Sequence, residues 1–293
     1  MKRLVCLFTA VLMFTVFLGG CSADGKKPEK ETSDKTVSAE TTEEITSTTE
    51  TTTEKETLPP EPETDEFGST IPTTMPKVKL KRKPVSYDGI DPSKPMIALT
   101  FDDGPCSNTP RLLDILSKYN VKATFFVVGK YVEDNASTLK RMANDGHEIA
   151  SHTWSHANLS TSSQETIEKE LKSTSNIIKK VTGQTVYLAR PPYGSINELA
   201  QQVAAKLGLS YILWSVDTRD WESKNATSVY NMTMSYVGNG SIILCHDLHS
   251  TTVDAMESVI PALLNSGYQF VTVSQLLTYN RGELEAGEIY RNR

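Results

Sequence analysis

Met96-Ile97-Ala98-Leu99-Thr100-Phe101-Asp102-Asp103-Gly104-Pro105 is an apolar run that ends abruptly in two carboxylates and a Gly-Pro stop. An unbroken run of this size is what a strand buried on both faces requires. The pattern recurs at Ala123–Val128, His147–Ser151, Val186–Arg190, Tyr211–Trp214, Ser241–Cys245 and Phe270–Val273. Stretches with helical spacing lie between these runs. Leu112, Leu113 and Leu116 form one apolar face, and Ile167, Leu171, Ile177, Ile178 and Val181 another. Val203, Ala204 and Leu207, then Val259, Ile260, Leu263 and Leu264, repeat it. Several of these stretches stop at glycine, as at Gly146, Gly183, Gly208 and Gly267, a common helix end. Strands alternating with helices predict an α/β fold with a parallel sheet. Seven strand candidates predict a closed or nearly closed barrel, with an open doubly wound sheet as the rival.

The residues that follow the strands carry the chemical information. In barrel-type α/β folds the carboxyl ends of the strands build the site. The first run ends in Asp102-Asp103-Gly104-Pro105, and His147–Ser151 ends in His152-Thr153-Trp154-Ser155-His156. Later runs end in Arg190-Pro191-Pro192-Tyr193-Gly194, Asp217-Thr218-Arg219-Asp220-Trp221 and His246-Asp247. His152 and His156, four residues apart, would share one face of a helical turn and reach a single cation. Asp102 and Asp103 repel one another unless a positive group lies beside them. In an extended segment their side chains point apart, which gives them separate tasks. One can complete a His₂Asp site with an open position, and the other can face a metal-bound water as its base.

Together the five strand-end segments, from Thr100–Pro105 to Ile243–Asp247, resemble the five motifs of the polysaccharide deacetylase family, the NodB-homology group or carbohydrate esterase family 4. They stand in the family order across about residues 95–280. The resemblance implies a distorted (β/α) barrel of seven strands and a divalent metal, usually zinc. It implies Asp102 as general base, with Asp103, His152 and His156 as metal ligands. Arg190 would pair with Asp102, and the Tyr193 backbone N–H would stabilise an oxyanion. Asp220 would hold the acid His246, Trp221 would wall the site, and Leu244 would line an acetyl-methyl pocket. His147 and His249 are read as non-catalytic.

Outside this region the composition is uneven. The 293-residue chain has a net charge of −6, yet residues 22–76 alone hold 14 acidic and 5 basic side chains with 15 Thr. Residues 77–293 are nearly neutral, with 23 basic and 22 acidic side chains. That balance argues against a nucleic-acid partner, and the hydropathy argues against a polytopic membrane protein. Lys2 and Arg3 precede the apolar stretch Leu4 to Leu18, which is short for a spanning helix and suits a secretory signal. The sequence Leu18-Gly19-Gly20-Cys21 resembles the lipobox of bacterial lipoproteins, in which the cysteine is lipidated. Expected boundaries are a signal at 1–21, a disordered Thr/Glu-rich linker at 22–80, the catalytic domain at 87–280 and a polar tail at 281–293.

The expected setting is therefore extracytoplasmic, on the cell membrane through a lipid anchor at Cys21, with a polysaccharide as partner and no protein partner inferred. Within reach of the wall, the resemblance implies removal of N-acetyl groups from N-acetylglucosamine residues of peptidoglycan. Chitin oligosaccharides and acetylxylan are the alternative substrates, and a silent carbohydrate-binding lipoprotein is the non-enzyme alternative. Asp102 and His246 are both present, which weighs against silence. Beyond Cys6 and Cys21, the thiols are Cys106 and Cys245. Whether they form a disulfide or are two small buried residues stays open at this point.

Overall fold

The computed structural model describes residues 84–293. The signal at 1–21 with Cys21, the whole 22–80 linker and its continuation to residue 83 lie outside the described residues. Strand β1 (Met96–Asp102) leads into α1 (Thr109–Lys118), β2 (Thr124–Val127), α2 (Ala136–Asn144), β3 (Glu148–Ser151) and α3 (Gln164–Thr182). Then come β4 (Leu188–Ala189), α4 (Glu198–Leu207), β5 (Ser210–Ile212), β6 (Val216–Asp217), α5 (Asp220–Ser223) and α6 (Ala226–Tyr236). The chain finishes with β7 (Ile242–His246), α7 (Ser250–Asn265), β8 (Gln269–Phe270), α8 (Val273–Thr278) and β9 (Ile289–Tyr290).

The named strands pair in parallel in the order β6-β7-β1-β2-β3-β4-β5-β9, and β8 joins the first half of β1. The sheet curls into the distorted (β/α) half-barrel that the family implies, with helices flanking it. Each of the seven strand-like runs holds a strand. The described residues contain two more, β6 and β9, so the count of seven falls short by two. Both are two residues long, too short for any hydrophobic period to mark them.

Alternation along β1 shows how the core is divided. Ile97, Leu99 and Phe101 face the helices, packing with Leu112, Leu116 and Val259 in the larger cluster. Met96 and Ala98 face the barrel interior with Phe126, Ala150, Leu188 and Ile212. Leu276 and Leu277 of α8 complete that inner cluster. Thr100 and Asp102 continue the inward series, so the polar residues sit above an apolar plug at the carboxyl end. The helix faces read from spacing are buried except for Val181 and Leu207, which are half-buried, and Leu264, which is exposed. Serine and asparagine side chains cap the starts of α3 and α4, at Ser163 and Asn197. Gly183 and Gly208 close their ends in the left-handed conformation at φ of 74° and 73°.

Register brings the site together. Asp102 stands opposite His246 across β1–β7 and opposite Phe126 across β1–β2. Arg190 donates its backbone N–H to Ser151 O at 2.8 Å, which levels the end of β4 with that of β3.

The segment 281–293, expected to be a polar tail, is part of the sheet. Ile289 and Tyr290 pair with Tyr211 and Ile212, Asn292 bridges to Ser241, and Arg293 N donates to Gly240 O at 3.0 Å. The gain is a partner for the edge of β5, whose amide groups would otherwise be unpaired. Removing residues 288–293 should lower the unfolding midpoint by about 5 °C or more, since several backbone hydrogen bonds worth about 1 kcal/mol each are lost. An unchanged midpoint in a thermal melt would show that the segment is dispensable.

Candidate active site

Asp102 closes β1, and Asp103 breaks from it with φ of 74°. This turn corrects the expectation that the two carboxylates point apart from an extended segment. His152 Nε2 lies 3.8 Å from Asp102 Oδ2 and 3.4 Å from Asp103 Oδ1. His156 Nε2 lies 3.2 Å from the same Asp103 oxygen. The two imidazoles are brought together by a loop, not by a helical turn. Thr153 and His156 have φ of 65° and 66°, values that a helix does not contain and that a β-branched threonine adopts only under constraint.

The constraint is visible. Gly129 N and Lys130 N donate to the carbonyls of Thr153 and Trp154 at 2.9 and 3.0 Å. Glu170 of α3 accepts from Ser155 N and from its hydroxyl, both at 2.7 Å. Gly129 is required where it stands, because a Cβ there would lie 2.6 Å from the Trp154 ring. His152 Nδ1 lies 2.8 Å from Arg190 O. A carbonyl only accepts, so Nδ1 carries the proton and Nε2 presents its lone pair towards Asp103.

These residues fit a divalent cation. Asp103 Oδ1 is buried and has no hydrogen-bond partner. Facing it are two imidazole nitrogens, and one ligand atom from each of the three residues lies within 4.8 Å of the others. A carboxylate oxygen and two nitrogen lone pairs repel unless a proton or a cation lies among them. One oxygen and two imidazole nitrogens, with further positions open, form a donor set suited to zinc and its first-row neighbours.

Beside this trio stands a buried ion pair. Arg190 Nη1 donates to Asp102 Oδ1 at 2.7 Å and to Thr100 Oγ1 at 2.8 Å. Its Nε and Nη2 donate to the carbonyls of Ile212 and Leu213 at 3.1 and 3.2 Å. The guanidinium carbon lies 4.0 Å above the Phe126 ring. Across the site, Asp220 accepts from His246 Nδ1 at 2.7 Å, from His246 N at 2.6 Å and from Thr252 Oγ1 at 2.8 Å. Burial raises Asp220, but the hydrogen bond and charge of His246 outweigh it and hold the carboxyl low. Burial likewise works against the His246 cation, yet Asp220, helped by Asp102 and Asp103, raises it to about 9. The protonated ring therefore keeps its second N–H for the cleft that it lines.

That cleft, of about 520 Å³, is lined by Asp102, Asp103, His152, His156, Tyr193, Trp221, Leu244 and His246 from the sequence reading. Arg190 and Asp220 stand behind it as fully buried supports. Trp214, Asp217, Pro191 and His249 also line it. Of the two histidines read as non-catalytic, His249 lies at the cleft and His147 is remote. His147 sits at the opposite end of β3, accepts from Ala123 N at 3.1 Å, and is lowered by burial to about 4.

Asp247, which ends the fifth strand-end segment, carries no role in the sequence reading. It is fully buried, Thr109 donates to its Oδ2, and its Oδ1 has no partner. Both cysteines are free thiols, so no disulfide forms between them. Cys106 Sγ instead donates to Asp247 O at 3.5 Å, and Cys245 is buried within β7.

A model of the polysaccharide deacetylase family matches residues 89–212. The chain is 42% identical over 188 residues to the peptidoglycan-N-acetylmuramic acid deacetylase PdaC of Bacillus subtilis (strain 168), covering 64% of this chain and 40% of that protein. It is 39% identical over 190 residues to a peptidoglycan-N-acetylglucosamine deacetylase of Bacillus cereus (strain ATCC 14579), covering 63% of this chain and 89% of the relative. Among solved structures, a family 4 acetyl xylan esterase from Clostridium thermocellum in complex with a cobalt ion matches with a TM-score of 0.63 at 36% identity. That match covers 67% of this chain and 98% of the esterase. The matched region thus spans two fifths of the length of PdaC and most of the other two.

Two measurements probe this geometry. In titration calorimetry, Asp103→Asn and His156→Ala should each weaken zinc binding by more than about a hundredfold, while Asp102→Asn retains it. Equal losses in all three variants would place Asp102 among the ligands. The second concerns the acid. A pKa raised from 6.5 to about 9 means that the Asp220–His246 pair stabilises fully below pH 6.5. The contribution fades as pH rises through about 9. In chelator, the difference in melting temperature between wild type and His246→Gln should shrink across that window. A difference that is flat with pH would overturn the assignment of the charged ring.

Proposed function

The chain belongs to the polysaccharide deacetylase family of hydrolases, and from that premise we propose that it removes N-acetyl groups from N-acetylglucosamine residues of peptidoglycan, releasing acetate. The observation that carries this reading is the convergence, in one cleft, of the Asp103–His152–His156 donor set with the buried Asp102–Arg190 pair and the Asp220-bound His246. Four of the six exposed large apolar side chains among the described residues, Tyr131, Tyr193, Trp221 and Leu248, rim this cleft or the groove beside it. Exposed apolar surface concentrated around a polar site suits the flat apolar faces of sugar rings.

Each residue then has a task. Asp103, His152 and His156 would hold the metal, taken to be zinc, which when bound would polarise a carbonyl oxygen and make water more acidic. Asp102, paired with Arg190 and oriented by it, takes a proton from the attacking water. The Tyr193 N–H would stabilise the developing oxyanion. His246, charged through Asp220, gives its proton to the departing nitrogen, so the amide and water become a free amine and acetate. Leu244 receives the acetyl methyl, and Trp221 limits where the ring can lie.

The site is proposed to work outside the cytoplasm, with the chain attached to the membrane by a lipid on Cys21 and the Thr/Glu-rich linker as spacer. The relatives differ by name in the sugar they act on, and the similarity to an acetyl xylan esterase keeps ester cleavage as the second reading. Acetate release from peptidoglycan, chitin oligomers and acetylxylan should be fastest on peptidoglycan and should stop with chelator. Asp102→Asn should lose at least about a hundredfold in kcat on every substrate. Chelator-resistant turnover, or full activity in that variant, would overturn the mechanism.

A further inference from the structure

A second groove, of about 630 Å³, opens directly off the cleft and shares Asp103, His156 and Tyr193 with it as a common wall. Its opposite side is formed by the segment after β2, from Val128 to Asn135. Apart from the two metal ligands, one charged side chain lines it, Lys130. Lys130 is exposed, and its Nζ lies 4.8 Å over the ring of Tyr131. No carboxylate of the described residues pairs with it. Glu133, three residues on, is engaged instead by Lys180 at 2.9 Å.

The backbone of Lys130 is not free to drift. Its N–H donates to Trp154 O, inside the loop that carries His152 and His156, and its neighbour Gly129 is packed against the Trp154 ring. The stem of the side chain is thus anchored at a fixed place relative to the cleft, with the ammonium reaching from it along the Tyr131 ring. Tyr131 offers an exposed aromatic face beside it, and the Asn135 amide, which donates to Tyr131 O at 2.9 Å, braces that turn. A lone cation in a groove selects anions over neutral ligands and speeds their arrival, and it gains most where water is partly excluded.

We propose that this groove receives the sugar next to the one being deacetylated, and that Lys130 selects glycans in which that neighbouring sugar bears a carboxylate-carrying substituent over neutral chains. The proposal rests on the deacetylase reading above and adds to it the charge of the preferred substrate. Tyr131 supplies the surface for the ring, and Lys130 pairs with the carboxylate.

The test uses the full chain loaded with zinc. It compares kcat/KM on peptidoglycan oligosaccharides with free carboxylates and on the same oligosaccharides with those carboxylates capped as methyl amides. Wild type should prefer the free form by about three- to tenfold at low salt, and high salt should shrink the preference. Lys130→Gln should bring the ratio close to one, and Lys130→Arg should preserve it. A ratio that is the same in wild type and Lys130→Gln would overturn the proposal. If wild type turns over none of these glycans or chitin oligomers, the deacetylase reading fails. The same ratio, read as binding affinity by calorimetry, then still decides the role of Lys130.

Discussion

The Arg190–Asp102 ion pair is the constraint on which the rest of the structure depends. Burying a full guanidinium is costly unless its donors are satisfied and its charge is met. Here burial lowers the Arg190 pKa, and the charge of Asp102 and the hydrogen bond to it resist that shift. The four hydrogen bonds of its side chain reach β1, the end of β5 and the residue after it, while its face rests on Phe126 of β2. Its own backbone carbonyl fixes the His152 tautomer, and its backbone N–H joins β3. One side chain thus sets the spacing of the strands across the barrel mouth and the orientation of Asp102. Its main chain orients His152.

A second division of charge follows from environment. Two histidines and an aspartate face each other with lone pairs, an arrangement that calls for a cation. A third histidine is bound through Nδ1 to a buried carboxylate and keeps its proton. Neighbouring strands therefore present an electron-donating set and a proton-donating group within one cleft, the separation of acid and base roles by surroundings that hydrolysis needs. Asp102 lies between the two, opposite His246 in register and 3.8 Å from His152.

Much of this was legible in the sequence, because the barrel places the carboxyl ends of its strands at one level and those ends are where polar residues interrupt apolar runs. Asp102, His152, Arg190 and His246 could be picked out for that reason. What could not be read is set by long-range contact. The left-handed backbone of Asp103, Thr153 and His156 is imposed by Trp154, Glu170 and the turn after β2, none of which leaves a local pattern. The short strands β6 and β9 exist because the sheet has edges to pair, not because their residues alternate. Lys130 looked like any surface lysine, and only the groove beside it gives it meaning. Asp247 and His249 stood next to or near a named histidine, yet the turn that follows β7 decides which of them reaches the cleft.

The register that sets Asp102 opposite His246 also has a kinetic side. The three residues of the Asp103–His152–His156 donor set fall within about 50 residues of chain, joined by two consecutive βα units, whereas Asp102 and His246 are about 140 residues apart and meet only when β7 docks on β1. Loop closure makes the first assembly local and the second remote. A chain that has paired β1, β2 and β3 already holds the Asp103–His152–His156 donor set, but it gains the charged His246 only when the far end of the sequence has returned to the first strand.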